Sequence, residues 1–265
     1  MIICPIASGS SGNCVYVGTD STHIIIDTGV SKKRIEEGLD YVGVSPDSID
    51  AVLITHEHSD HISGLGVFER KYPTRVYGTD ATLDYIENCG YLGKIDTDEF
   101  CPVDPDEVFM IGDIEVTVIK TSHDAACSVA YILRNDGKSI AVATDLGTFD
   151  DHIVEALKGM DVMLLEANHD IRMLETGPYP YQLKRRILSD AGHLSNEMAG
   201  KLLCEVLHDG LRTIILGHLS KENNYPALAY EAVRMEIDMG DNPYSADDFN
   251  MVVAKPGEPT GIFEA

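Results

Sequence analysis

The run Thr55-His56-Glu57-His58-Ser59-Asp60-His61 places three imidazoles and an aspartate within six consecutive positions, directly after the apolar stretch Ala51-Val52-Leu53-Ile54. In extended chain, residues two apart face the same side, so His56 and His58 can hold one ion together. Asp60 and His61, at the start of a following helix, can turn toward a second. Four such groups buried without partners would be costly, and they stand too close together to be independent surface residues. The competing explanation, a hydrogen-bonded polar turn, accounts for the spacing less well. Neutral imidazole and carboxylate are suitable donors for Zn²⁺, Mn²⁺ or Fe²⁺. Whatever this chain folds into must therefore bring the run to a sheltered edge where more donors converge.

Local patterns place that edge at a junction between strand and helix. A buried strand is expected over residues 51–55, with helices following near 62–71 and 81–89. Upstream, strands are expected over 2–7, 14–17 and 22–26, separated by Ser8-Gly9-Ser10-Ser11-Gly12-Asn13 and Gly18-Thr19-Asp20, with a helix over 31–39. Downstream strands fall at 114–120, 129–134 and 139–144, the last two joined by the hairpin signal Asn135-Asp136-Gly137. Further strands are expected at 162–166 and 213–216, and helices at 196–207 and 227–239. No repeat, low-complexity tract or long linker interrupts the chain, so residues 1–265 read as a single domain. Many strands with helices at intervals imply two packed sheets covered by helices. His123, Asp145 and His218 each follow a β-rich run, where an edge between two sheets can gather them into one cleft.

Charge limits the partners. With 20 Lys and Arg against 44 Asp and Glu, the formal net charge is −24. That argues against a broad nucleic-acid surface, because non-specific binding rests on cations neutralising phosphates. A polyanionic substrate would have to be gripped locally. No apolar run approaches the ~20 residues of a membrane span, so no membrane partner is expected. The segment Met1-Ile2-Ile3-Cys4-Pro5 does not read as a signal peptide, and the six cysteines form no CxxC pair. A cytoplasmic location with reduced thiols is the expectation.

Taken in order, the motifs resemble the metallo-β-lactamase-fold hydrolases over nearly the whole chain. They are Asp27 in Ile26-Asp27-Thr28-Gly29, the cluster from His56 to His61, His123 in Ser122-His123-Asp124, Asp145 in Thr144-Asp145-Leu146-Gly147, and His218 in Gly217-His218-Leu219-Ser220. The resemblance implies an α+β fold, a four-layer αββα sandwich with the site at the edge between its sheets. It further implies that His56, His58 and His123 bind one divalent metal, that Asp60, His61 and His218 bind another, and that Asp145 bridges them. Two cations ~3.5 to 4 Å apart make hydroxide from water and can stabilise the attacking and leaving oxygens of a phosphoryl displacement. Asp27, at a strand end, is expected to accept the second N–H of a metal-bound imidazole and fix its tautomer.

Finer segments resemble the YycJ (WalJ) branch of that superfamily, single-domain proteins regarded as DNA 5′-to-3′ exonucleases. They are Ser8 to Asn13, Glu166-Ala167-Asn168-His169-Asp170, Gly177-Pro178-Tyr179-Pro180, Gly192-His193-Leu194-Ser195-Asn196, and Asn223-Asn224. The resemblance implies a DNA substrate and two metal ions, Zn or Mn, with Fe also suited. His193 is similarly placed to a histidine of the tRNA 3′-processing nucleases that assists the leaving group; with Asp60 and Asp145 it completes the expected catalytic set. It can act as a general acid or contact the phosphate; outside those roles it is an ordinary cap-region or core residue before a helix. His169 can contact substrate or orient a neighbouring loop. Ser8 and Asn13 border a loop that can offer hydroxyls and N–H groups to a phosphate, or serve only as a turn. Lys184-Arg185-Arg186 is the densest positive cluster, read as a solvated helical face or a phosphate contact. His23, His152 and His208 lie outside any motif and read as surface or core residues. Two other classes compete: an acyl hydrolase of the same fold, acting on a thioester, lactone or lactam, and a non-catalytic metal-binding module.

Overall fold

Strands such as Cys14–Gly18, Val162–Glu166 and Thr213–Gly217 are buried at every position. A strand buried on both faces needs a covering layer on each. The computed structural model, which describes residues 1–265, supplies both. One sheet contains β1 (Ile2–Ala7), β2 (Cys14–Gly18), β3 (His23–Ile26), β4 (Ala51–Leu53), β5 (Arg75–Gly78) and β6 (Phe100–Pro102) in sequence order. The other contains β7 (Val108–Ile111), β8 (Ile114–Lys120), β9 (Val129–Asn135), β10 (Lys138–Ala143), β11 (Val162–Glu166), β12 (Thr213–Gly217) and β13 (Asn250–Val253). A short β14 (Phe263–Glu264) pairs with β1 at the first sheet's edge.

Three separate apolar layers hold this stack together. Ile24, Leu53, Val118, Tyr131 and Leu164 lie in the layer shared by the two sheets. Ile25 and Val52 point the opposite way, as period two requires, toward Ile35, Leu39, Phe68 and Leu83 on helices outside the first sheet. Outside the second sheet, Ala141, Met163 and Ile214 pack with Ile153, Leu202, Val233 and Ile237. The result is the αββα sandwich. No helix is long and apolar enough to cross a membrane.

Each sheet is antiparallel on one side and parallel on the other, the parallel sets being β3 to β6 and β10 to β13. Parallel strands present their carboxyl ends together, and connecting loops gather there. Asp27, the histidine run, Asp145, Glu166 and His218 all stand at or just past such ends.

Local departures from expectation have identifiable causes. The strand expected over 51–55 ends at Leu53. Tyr131 then donates from its hydroxyl to Ile54 O (2.8 Å), and Val129 N donates to Thr55 O (3.0 Å), so the chain leaves one sheet to bond with the other. In place of one helix over 62–71 there are two short ones, Ser59–Ile62 and Leu65–Glu69. Several short elements carried no period long enough to read, among them β5, β6, β7, β13 and the helices Asp151–Leu157, Ile171–Thr176 and Tyr181–Ile187. Between β9 and β10, Asp136 and Gly137 both take positive φ (46° and 72°), the type I′ hairpin that Asn135-Asp136-Gly137 encodes.

The loop after β3 locks onto the histidine run. Thr28 N donates to His61 O (2.7 Å), Gly29 N to Asn13 O (2.8 Å), and Asn13 N to Asp60 O (2.8 Å). A Cβ built on Gly29 would overlap the carbonyl oxygen of Asp60, so this approach is open only to glycine. Gly29→Ala should therefore lower unfolding stability by about 1–3 kcal/mol, the usual cost of overpacking. Urea unfolding measures it; an unchanged midpoint would mean that the two loops separate freely.

Candidate metal centre

Asp27, Asp145 and His218 each adopt the left-handed conformation, with φ of 59°, 58° and 55°. Held non-glycine residues of this kind cost about 1–3 kcal/mol each and cluster at functional sites. Here all three lie just beyond strand ends, and the side chains they carry meet at one edge of the sandwich. Four overlapping groups have their donor atoms within 4.8 Å of one another: His56, His58 and His123; His56, His61 and Asp145; Asp60, His61 and His218; and Asp145, Glu166, His193 and His218.

Asp145 joins these groups. Its Oδ2 lies 3.3 Å from His61 Nε2, while its Oδ1 lies 3.6 Å from His123 Nε2 and 3.7 Å from His218 Nε2. On one side, His123 Nε2 approaches His58 Nδ1 at 3.2 Å. On the other, Asp60 Oδ2 stands 3.5 Å from His218 Nε2 and 3.6 Å from His61 Nε2. All seven residues that the motifs single out as ligands are thus brought together, in two lobes about Asp145.

Behind the rings, carbonyl and carboxylate oxygens fix their orientation. His61 Nδ1 bonds Asp27 Oδ2 (2.7 Å), and Asp27 also accepts from Thr55 N and Thr55 Oγ1 (both 2.9 Å). His123 Nδ1 donates to Gly192 O (2.8 Å). His218 Nδ1 bonds Glu166 Oε1 (2.8 Å). In each case Nδ1 carries the proton and Nε2 is left toward the centre, the arrangement expected of a ligating imidazole.

The electrostatics call for a cation. Burial, reinforced by His61 and His123, pushes the His56 pKa well below its ordinary value, keeping that ring neutral. Burial also opposes charge on His61, but Asp145 and Asp27 outweigh it and lift that pKa to about 9. For Asp145, His218 and His61 overcome the burial penalty and hold the carboxyl below its usual range. His56 Nε2 and Asp145 Oδ2 are buried with no hydrogen-bond partner. Orphaned lone pairs among imidazoles and carboxylates fit a divalent cation, which satisfies both the geometry and the negative field.

Glu166 is the residue that motif reading passed over as a member of the site. It closes β11 and is fully buried. Its Oε1 accepts from both His193 Nδ1 and His218 Nδ1 (2.8 Å each), and its Oε2 accepts from Leu146 N (2.8 Å) and Leu194 N (3.2 Å). Burial alone would raise its pKa, yet His193 and His218 hold it well below the carboxylate range. The available signal was a single acid ending an otherwise apolar, fully buried strand. His193, 18% exposed, lies 3.6 Å from Asp145 Oδ1 and keeps its Nε2 free of protein partners.

Other singled-out residues are placed differently. Ser8 Oγ accepts from His218 N (2.9 Å), and Asn13 Nδ2 sits 3.1 Å from His61 Nε2, so both border the centre. His169 is buried with both ring nitrogens unpartnered; it stands outside the four donor groups, and burial lowers its pKa to about 4. The cationic trio divides. Lys184 Nζ donates to Glu175 O (2.7 Å) and Gly177 O (2.8 Å), tying down the end of the preceding helix. Arg186 pairs with Asp124, whose Oδ1 is 3.5 Å from His123 Nε2. Arg185 is left exposed beside Tyr181. His23 bonds Tyr16 (2.7 Å), His152 pairs with Asp106 (3.0 Å), and His208 bonds Met160 O (3.0 Å), all away from the centre.

One carboxylate bonded to two rings and two amides leaves little room for substitution. Glu166→Gln keeps the shape but replaces an acceptor oxygen with an N–H donor, so it should weaken metal affinity about 10- to 100-fold. Competition with a chromogenic chelator measures this, and parent-like affinity would remove Glu166 from the support of the centre.

Comparison with known proteins identifies the family. A family model described as beta-lactamase superfamily domain matches residues 22–218. The chain is 39% identical over 259 residues to the exodeoxyribonuclease WalJ of Streptococcus pneumoniae strain D39, covering 98% of this chain and 96% of that protein. It is 40% identical over 233 residues to the exodeoxyribonuclease YycJ of Bacillus anthracis, covering 88% of each. Among solved structures, Zn²⁺-bound PqqB from Methylobacterium extorquens superposes with a TM-score of 0.73 at 16% identity, over 100% of both chains, a likeness of fold. With a matching domain across most of its length and such identity to both relatives, this chain belongs to the metallo-β-lactamase superfamily, in its YycJ branch, and is a metal-dependent hydrolase.

Proposed function

We propose that this chain is a DNA exonuclease that hydrolyses phosphodiester bonds in the 5′-to-3′ direction at a centre for two divalent cations, Zn²⁺ or Mn²⁺, with Fe²⁺ also suited to the donors. The observation that carries the reading is His193, held through Nδ1 by a buried Glu166 beside Asp145, with Nε2 free. An alkoxide departs poorly unless it is protonated or otherwise stabilised, so a poised imidazole suits phosphodiester chemistry. Support for DNA comes from the two exodeoxyribonucleases that share 39–40% identity with this chain. The direction rests on the likeness to that branch.

In this reading His56, His58 and His123 would hold one cation, Asp60, His61 and His218 would hold the other, and Asp145 would serve both. The cations, when bound, acidify a water and offset the charge that builds on the scissile phosphate. Asp60, only partly buried, also orients the entering water. Burial opposes charge on His193, but Glu166 and Asp145 outweigh it and raise its pKa, so it keeps a proton. Glu166 fixes the ring, and Nε2–H delivers that proton to the departing oxygen.

Two substitutions separate these roles. His193→Ala should retain fold and metal while losing roughly 10²- to 10⁴-fold in turnover on DNA, the range for acid-base assistance. A nitrophenyl phosphodiester, whose leaving group needs little protonation, should recover much of that loss; parent-like cleavage of DNA would make His193 structural. Asp145→Ala should lower the metal content from two equivalents to one or none, read by elemental analysis. A parent enzyme fully active with one equivalent would end the two-cation reading. Strands labelled at either end, with thioester and lactam controls, report direction and reaction class.

A further inference from the structure

Next to the centre, and sharing no candidate ligand with it, lies a cavity of about 470 Å³. It opens where the Ser8-to-Ser11 loop, the chain following His218 and residues 254–257 meet. Its wall is continuous with the centre, because Ser8 Oγ accepts from His218 N (2.9 Å) and Ser10 N donates to Leu219 O (3.4 Å).

The charge of this cavity runs against the acidic balance of the chain. Acids make up 44 of 265 residues, yet none is among the 13 that line it. Two other cavities of about 430 Å³ carry Asp113, Glu115 and Asp136 in one case and Asp50 and Glu99 in the other. A further one of about 470 Å³, lined by Tyr181, Gln182, Arg185 and Arg186, has no acid in its wall but has Arg186 already paired with Asp124. Here the charged lining residues are Arg34 and Lys221, accompanied by the hydroxyls of Ser8, Ser10, Ser11 and Tyr225. Neither cation forms an ion pair, although Lys32 on the same helix as Arg34, and Lys255 beside the cavity, each have a glutamate partner. Arg34 Nη2 comes within 3.3 Å of where a Cβ on Gly257 would stand, so the guanidinium lies across the cavity's rim. Two cations without ion-pair partners, lining one cavity together with several hydroxyls, suit a compact dianion.

We propose that this cavity binds the 5′-terminal phosphate of the DNA strand. The inference rests on the exonuclease reading above for the identity of the strand. A terminal phosphomonoester carries about two charges near neutral pH against one for an internal diester, and two cations match the former. The net charge of −24 repels a polyanion at long range, so a local grip of this kind is where such a strand can be held. A cavity of this volume has room for one phosphate and its sugar.

The test uses the metal-loaded protein and one single-stranded DNA made with either a 5′-phosphate or a 5′-hydroxyl. The parent should favour the 5′-phosphate by roughly 10- to 100-fold in kcat/KM, the worth of hydrogen bonds to a charged group. In the double variant Arg34→Gln, Lys221→Gln, with its fold checked by circular dichroism, that ratio should fall to about one. A parent ratio near one, or a variant that keeps the preference, overturns the proposal. Equal losses on both strands in the variant also overturn it, by assigning the cations to internal phosphates. Should the parent degrade neither strand, the exonuclease reading fails, and calorimetric titration with thymidine 5′-monophosphate decides the cavity separately. Binding that weakens at least 10-fold in the double variant supports it; unchanged binding overturns it.

Discussion

Buried negative charge is the constraint around which this molecule is arranged. Asp27, Asp145 and Glu166 are 3% exposed or less, and all stand at the ends of strands within a few ångströms of buried imidazoles. Isolated carboxylates in such a place would be strongly penalised. They persist because every one is answered: Asp27 by His61 and Thr55, Glu166 by His193, His218 and two amides, and Asp145 by rings on both sides. Removing the rings would leave the acids untenable, and removing the acids would leave the rings without orientation. A cation at the centre completes this balance by taking up the lone pairs that no protein group satisfies.

The four layers exist, in physical terms, to make that balance affordable. Three apolar layers bury most of the strands and supply the stabilisation that offsets left-handed backbone at Asp27, Asp145 and His218. Rigid strand ends place donors more accurately than free loops do. The two halves of the centre come from different sheets. Asp27 and the histidine run follow β3 and β4, whereas Asp145 and His218 follow β10 and β12 and Glu166 closes β11. Cross-sheet bonds from Tyr131 and Val129 to Ile54 and Thr55 tie the halves together just below the site. Misalignment of the sheets would therefore be felt first at the metal donors.

How much could be read without the structure differs from residue to residue. His56, His58, Asp60 and His61 were legible because their spacing is local, and extended backbone alone puts alternate rings on one side. His123, Asp145 and His218 were legible as strand-end residues and, through family likeness, as members of an ordered set. Glu166 was not, although it holds two of the site's rings and two backbone amides. Its importance lies in bonds to residues 20, 27, 28 and 52 positions away, and nothing local marks those. The cationic trio shows the opposite limit. Their adjacency left open a solvated face or a phosphate contact, and on the helix the three diverge to a carbonyl pair, to Asp124 and to solvent.

The amino-acid sequence by itself determined the layered strand-and-helix pattern, the donor types and the local pairing of His56 with His58, because period and spacing act over a few residues. Only the tertiary structure decided which donors share an ion's reach, which oxygen fixes each ring, and that Arg34 and Lys221, 187 positions apart, face one cavity free of acids. Those facts depend on how two sheets are registered against each other. That register is set by the sum of many apolar contacts across the sandwich, and no single stretch of sequence contains it.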